Sequence, residues 1–290
     1  MEVNQPIFII GTGRNGSTAL HKLLAAHPQV AWLSDFCNRY PDKPQVNRWL
    51  MQALDIPVLA PLLIPRLEPG ENYLFWQHYA RGFRQPCRDL TAQDVTPREK
   101  EALRRVMAEV LTRRRGRLLA KITDWPRLGY LAEIFPDAKF IHLVRDGRAV
   151  ANSMLGVDFW NGWGGPSKWR WGPLTDTHQA DWEASGRSFV ALAGIEWVMM
   201  LDAFQTAQEF IDPANLLQVR YEDICTDKTG WLERLVDFAG LDWPSAFERM
   251  VGGYAFENMN TKWQSDLTPD QQALLEKVTR SHLDQYGYHP

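Results

Sequence analysis

The sequence predicts an α/β fold, a parallel β-sheet flanked by helices, on three observations. The run Ile7-Phe8-Ile9-Ile10 is continuously β-branched and aromatic, as a strand covered on both faces requires. A glycine-rich turn and a helix-favouring stretch follow it directly, over residues 11–26. From residue 97 onward strand and helix patterns alternate, the order that builds parallel sheets.

The elements follow in order. His27-Pro28 closes the first helix, because proline disfavours helical geometry in the residue before it, and a short strand is expected at 30–33. Residues 35–96 are rich in proline and aromatics, carry one modest helical pattern near 46–54, and are expected to form an irregular insertion over a site. A helix over 97–115, a strand over 118–122, a helix over 126–134, a strand over 139–144 and a helix over 146–155 then restore the alternation. A second irregular insertion, 156–182, holds Trp160, Trp163, Trp169, Trp171 and Trp182. It fits either an aromatic mini-core pinning a long loop or a wall against an acceptor. A long helix at 182–210, a last strand at 216–221 and helices at 229–239 and 269–286 complete one domain over residues 1–290.

Composition narrows the class. Hydrophobic residues at 45% and charged residues at 23% give a globular balance, and a net charge of −3 disfavours a nucleic-acid partner. Arg113, Arg114, Arg115 and Arg117 end a helical pattern, where cations meet the helix C-terminus, so a solvated helix end is expected there. Cys37, Cys87 and Cys225 are odd in number and widely spaced, which predicts neither a disulfide framework nor a zinc site and fits a reducing cytoplasm. No secretory leader and no transmembrane segment are expected. The longest apolar stretch, 53–64, is short and interrupted by Pro57 and Pro61. Oligomeric state is not legible.

Residues 11–18 read Gly11-Thr12-Gly13-Arg14-Asn15-Gly16-Ser17-Thr18, between a buried strand and a helix start. That context suits a phosphate loop: inward-turned amides and the helix N-terminus meet an anion, Ser17 and Thr18 donate hydroxyls, and Arg14 offers a bidentate fork. Gly11 and Gly16 keep the spacing of the nucleotide-triphosphatase loop, but Ser17 stands where that loop has its phosphate-reaching lysine. A second segment, Lys139 to Ser153, ends a strand at Arg145 on the ligand-binding edge of the sheet. Arg145 and Ser153 are candidates for a second phosphate, and Asp146 for a helix cap.

Together these segments resemble the sulfotransferases that use 3′-phosphoadenosine 5′-phosphosulfate (PAPS), especially the tyrosylprotein and bacterial branch. Residues 9–18 look like that family's 5′-phosphosulfate loop, 140–153 its 3′-phosphate segment, and Val219-Arg220-Tyr221-Glu222-Asp223 the strand whose tyrosine approaches the nucleotide. The resemblance implies a P-loop-type sheet and donor binding by Gly13, Arg14, Asn15, Gly16, Ser17, Thr18, Arg145, Ser153 and Tyr221, with Lys262 in a closing loop. It implies no metal. The base would be Asp35, where relatives carry glutamate, or Asp124, which follows Lys121 in the segment Lys121-Ile122-Thr123-Asp124. Arg14 and Lys121 would stabilise the transferred group during attack by an acceptor hydroxyl or amine on a small molecule, lipid or carbohydrate. A kinase-like phosphotransferase and a non-catalytic nucleotide-binding module are the alternatives.

Overall fold

The computed structural model describes residues 1–64, 66–84 and 87–288. Five parallel strands form its sheet, in the order β2-β3-β1-β4-β5, with β1 (Ile7–Gly11) at the centre between β3 (Arg117–Thr123) and β4 (Lys139–Val144). β2 (Val30–Trp32) and β5 (Leu216–Arg220) form the edges. All five β1 residues are buried, because helices cover both faces of the sheet. Phe8 stacks on Phe140 at 5.6 Å and meets Phe135 at 5.8 Å, locking β1 to β4 and to the turn before it.

Helix α1 (Ser17–Ala25) follows the glycine turn, and the chain returns as β2. Residues 35–96 carry more helix than the single one expected: α2 (Asp35–Arg39), α3 (Pro44–Ala53), α4 (Ala60–Leu63) and α5 (Tyr73–Tyr79). Their aromatic side chains explain the order: Phe75, Trp76 and Phe83 are fully buried in the main core, and Trp76 stacks on Phe83 at 5.0 Å. The alternation then runs through α6 (Pro97–Val110), α7 (Leu128–Ile134) and α8 (Gly147–Leu155). α6 starts at a Thr96–Glu99 capping box and stops at Val110, five residues short of the expected end.

The arginine cluster beyond α6 is therefore not a solvated helix end. Arg115 is buried and donates to Asp55 Oδ1 at 3.0 Å and to the Val30 carbonyl at 2.9 Å, while Arg117 donates to the Gln5 carbonyl at 2.8 Å. Arg113 and Arg114 alone stay exposed.

The long helix expected at 182–210 is two: α9 (Asp176–Ala184) and α10 (Phe189–Gln208). Gly186 and Arg187 take positive φ between them, and Ser188 recaps the chain by accepting from Ala191 N–H. α10 is apolar enough to cross a bilayer by length and composition, yet it packs inside the protein against α8 and α15 (Pro269–Gln285). After β5 the chain makes α11 (Tyr221–Thr226), α12 (Lys228–Phe238), α13 (Ser245–Gly253) and α14 (Lys262–Asp266).

Two buried histidines link this packing to pH. His21 on α1 and His142 on β4 are both pushed down to about 3, chiefly by burial, with the Lys121 charge adding to the effect at His21. Their folded values lie below the unfolded value near 6.5, so the unfolded chain binds more protons between about pH 3 and 6.5. Stability is fully present above that window and falls as the pH drops through it, by up to about 1.4 kcal/mol per pH unit for each imidazole. Urea unfolding at pH 7 and pH 5 should show the loss, and His142→Gln should flatten the slope. A slope left unchanged by His142→Gln would refute it, since Asp89 and Glu196, both pushed up by burial, oppose the histidines in the total.

Candidate active site

The strand β1 delivers its C-terminal end into the loop 12–16, and the loop is held by its own side chains. Asn15 is fully buried: its Nδ2 donates to the Leu143 carbonyl on β4 at 2.8 Å, and its Oδ1 accepts from Ser17 N–H at 3.1 Å. Asn15, expected among the donor-binding residues, thus spends its amide on the frame of the loop. Gly16 sits at φ 89°, left-handed, with the Tyr221 ring against it; a Cβ there would run into that ring. Arg14 is also left-handed, at φ 63°, a conformation that costs an arginine strain and aims its side chain out of the loop.

What Arg14 reaches is the second segment. Its Nε donates to Ser153 Oγ at 2.9 Å, and Arg145 Nη1 donates to the Arg14 carbonyl at 3.0 Å. Arg145 is placed by the end of β4 and held from two sides: Nε donates to Asn260 Oδ1 at 2.8 Å, and the guanidinium lies 4.9 Å from the centre of the Tyr221 ring. Tyr221 is fixed in turn by a 2.6 Å bond to the Glu257 carbonyl. The two anion sites expected separately are therefore one continuous cradle. Arg145 Nη2 has no partner among the described residues and lines the cavity as an open donor.

Beside the cradle, β3 brings Lys121 to the first turn of α1. Lys121 is not a solvated strand end: it is buried, and Nζ donates to Thr18 Oγ1 at 2.8 Å and pairs with Glu71 Oε1 at 3.0 Å. Thr123 Oγ1 donates to the same Glu71 oxygen at 2.7 Å, while Glu71 Oε2 has no partner among the described residues. Asp124 is buried and held by Arg170 at 2.5 Å, and its Oδ1 abuts Gly13, where a Cβ would stand 3.0 Å away. Burial pushes the Asp124 carboxyl up from the ordinary carboxylate range, and Arg170 opposes the shift. Asp35 is exposed at the first position of α2, its Oδ1 against Gly70.

A cavity of about 670 Å³ joins these groups; Gly13, Arg14, Gly16, Ser17, Thr18, Asp35, Lys121, Asp124, Arg145 and Ser153 all line it. A neighbouring cavity of about 610 Å³ shares Asp35, Glu71, Asp124 and Arg170 with it, so the carboxylates stand at the junction of two spaces. A larger groove of about 940 Å³ runs between the first residues and α6; charged side chains of α6 such as Lys100, Arg104 and Glu109 line it, and none of the loop or strand-end residues does. Lys262 does not line this cavity: it is the first residue of α14, beside buried Trp263, and its Nζ lies 3.7 Å from Asp266.

Sequence reasoning did not find Glu71, Arg170 or Tyr254. Glu71 and Arg170 sit in the insertions without periodicity or motif, and Tyr254 in the segment after α13, so no local signal marks them. The tryptophan-rich insertion resolves mostly to a mini-core, with Trp160, Trp169 and Trp171 buried, while Phe159 and Arg170 beside them line the cavity.

A parallel sheet with an amide-and-arginine cradle at its C-terminal edge, beside a buried lysine, defines a P-loop-type α/β protein. More narrowly, a sequence model of the sulfotransferase family matches residues 6–245, and the chain belongs to that family. It is similar to the omega-hydroxy-beta-dihydromenaquinone-9 sulfotransferases Stf3 of Mycobacterium bovis and Mycobacterium tuberculosis, at 26% identity over 327 aligned residues, 98% of this chain and 75% of theirs. In fold it matches sulfotransferase STF9 from Mycobacterium avium with a TM-score of 0.61 at 15% identity, over all of this chain and 78% of that one. The sulfotransferase domain of the curacin biosynthetic pathway gives 0.53, also at 15% identity, over all of this chain and 99% of that one. Family membership decides for a sulfotransferase over a kinase-like phosphotransferase or a non-catalytic nucleotide-binding module.

Because Asn15 carries two buried bonds, Asn15→Ala should cost about 1–3 kcal/mol, the penalty for leaving the Leu143 carbonyl unpaired. Denaturant melts of the two proteins measure it. A change below about 0.5 kcal/mol, the range of ordinary surface substitutions, would show that the loop stands without Asn15.

Proposed function

We infer that this chain moves a sulfuryl group from PAPS to a hydroxyl, or an amine, of a small-molecule, lipid or carbohydrate acceptor. The observation that carries the reading is the cradle of Arg14, Arg145 and Ser153 beside buried Lys121, at the junction of two cavities. The residues fit a bisphosphorylated donor: two guanidinium groups, loop amides and the Ser17 and Thr18 hydroxyls converge, and Tyr221 supplies a ring beside Gly16. Among acceptors the similarity to the two Stf3 proteins, named for a hydroxylated menaquinone, favours a lipid alcohol. Three free cysteines suit a reducing cytoplasm as the place of reaction.

When bound, PAPS supplies the electrophilic sulfur and leaves as the 3′,5′-bisphosphate. Lys121, its charge already in a dry position, stabilises negative charge where the leaving oxygen develops, with Arg14 and the loop amides. A carboxylate must take the acceptor proton. Asp35 lines the shared wall but is exposed, and Asp124 spends its charge on Arg170. Glu71 is oriented by two donors at Oε1 and presents Oε2, so it joins the two aspartates as a third candidate and is the base we favour.

Calorimetry should find 3′-phosphoadenosine 5′-phosphate bound much more tightly than ATP, and Arg145→Ala should cost about 1.5–3 kcal/mol in that binding. Equal affinity for the two nucleotides would sink the donor assignment. In turnover, Glu71→Gln should slow kcat about 10²- to 10⁴-fold, with donor affinity measured alongside because Glu71 also pairs with Lys121. If Asp35→Asn or Asp124→Asn shows the larger loss instead, the proton goes to that carboxylate.

A further inference from the structure

The insertion that frames the catalytic cavity also carries an apolar surface that is left exposed among the described residues. Trp49, Ile56, Val58, Leu59, Leu62 and Ile64 are all exposed, Val58 at 78%, Ile64 at 63% and Leu62 at 58%. Scattered exposed apolar residues are ordinary, but five within nine consecutive positions form a patch of the kind that marks an interaction site. The patch is continuous with the site. A small cleft of about 210 Å³, lined by Trp32, Leu54, Ile64 and Leu67, shares Lys22, Glu68 and Pro69 with the catalytic cavity.

The rim of the patch is basic. Arg66 donates to the Leu62 carbonyl at 2.6 Å, and exposed Arg114 lies 3.8 Å from Asp55, next to Ile56. Asp55 is already neutralised by buried Arg115 at 3.0 Å, so Arg114 and Arg66 leave a positive excess here in a chain whose net charge is −3. Apolar side chains flanked by arginines are the chemistry that seats a protein in the headgroup layer of an anionic bilayer.

We propose that residues 49–66 dock this protein on an anionic lipid bilayer, which sets the small apolar cleft and the catalytic cavity against the membrane. The proposal rests on the lipid-acceptor reading above: a lipid alcohol then passes from bilayer to cavity with its chain along Ile64 and Leu67. Docking needs no reaction, so it is tested without an acceptor.

The full chain is sedimented with vesicles of phosphatidylcholine alone and of phosphatidylcholine mixed with phosphatidylglycerol. It should bind the mixed vesicles, and Val58→Glu with Leu62→Glu should weaken that binding at least about tenfold, since charges in the headgroup layer oppose burial of the patch. Arg66→Glu with Arg114→Glu should weaken binding to the mixed vesicles and leave any binding to phosphatidylcholine alone unchanged. These side chains are exposed, so folding and binding of 3′-phosphoadenosine 5′-phosphate should be kept in both variants. Wild-type protein left in the supernatant, or glutamate variants that sediment equally, would overturn the proposal. So would a concentration-dependent dimer that Val58→Glu with Leu62→Glu dissolves while vesicle binding is absent, because the patch then seats a second copy of the chain. Vesicle binding together with sulfation of water-soluble acceptors only would leave the docking surface standing and overturn the lipid-acceptor reading.

Discussion

The buried ammonium of Lys121 is the constraint around which the site is arranged. Removing a lysine from water costs several kcal/mol unless partners replace its hydration, and here Thr18 and Glu71 do so at 2.8 and 3.0 Å. Those two partners come from the first turn of α1 and from the long insertion, so one charge fastens three pieces of chain. The pairing also leaves the charge where an incoming anion meets it undiluted by water. Removing Glu71 therefore has two consequences, loss of a carboxylate and a buried cation without its counter-charge, and donor affinity must be read alongside turnover.

The phosphate loop follows a similar economy. Asn15 ties it to β4 and Gly16 lets Tyr221 lie flat on it, and this fixed frame holds Arg14 in a left-handed conformation. The strain is opposed by the bonds Arg14 makes at both ends, to Ser153 through its side chain and to Arg145 through its carbonyl. The cradle is consequently held by the protein's own bonds, and a frame held in this way lowers the ordering cost of binding.

Both insertions add function to a conventional sheet by packing first. Buried tryptophans stabilise the second one, and only then can Arg170 be aimed at Asp124 and Phe159 at the cavity. The first buries Phe75, Trp76 and Phe83, a base from which it extends Glu71 inward and the apolar run at 56–64 outward. A loop that both frames a site and meets a surface needs such an anchor, because an unpacked segment of this length would lose too much entropy on ordering.

The sequence by itself determined the parallel sheet, the phosphate loop, Arg145 and Ser153, because each is a local pattern: a period, a glycine spacing, a strand end. It also located Lys121 between apolar neighbours. Tertiary structure alone decided that Arg14 bridges to Ser153, that Arg115 turns inward to Asp55, and that Glu71 meets Lys121 across 50 residues. Those outcomes depend on which distant segment supplies a buried charge with its partner, and no local periodicity records that choice.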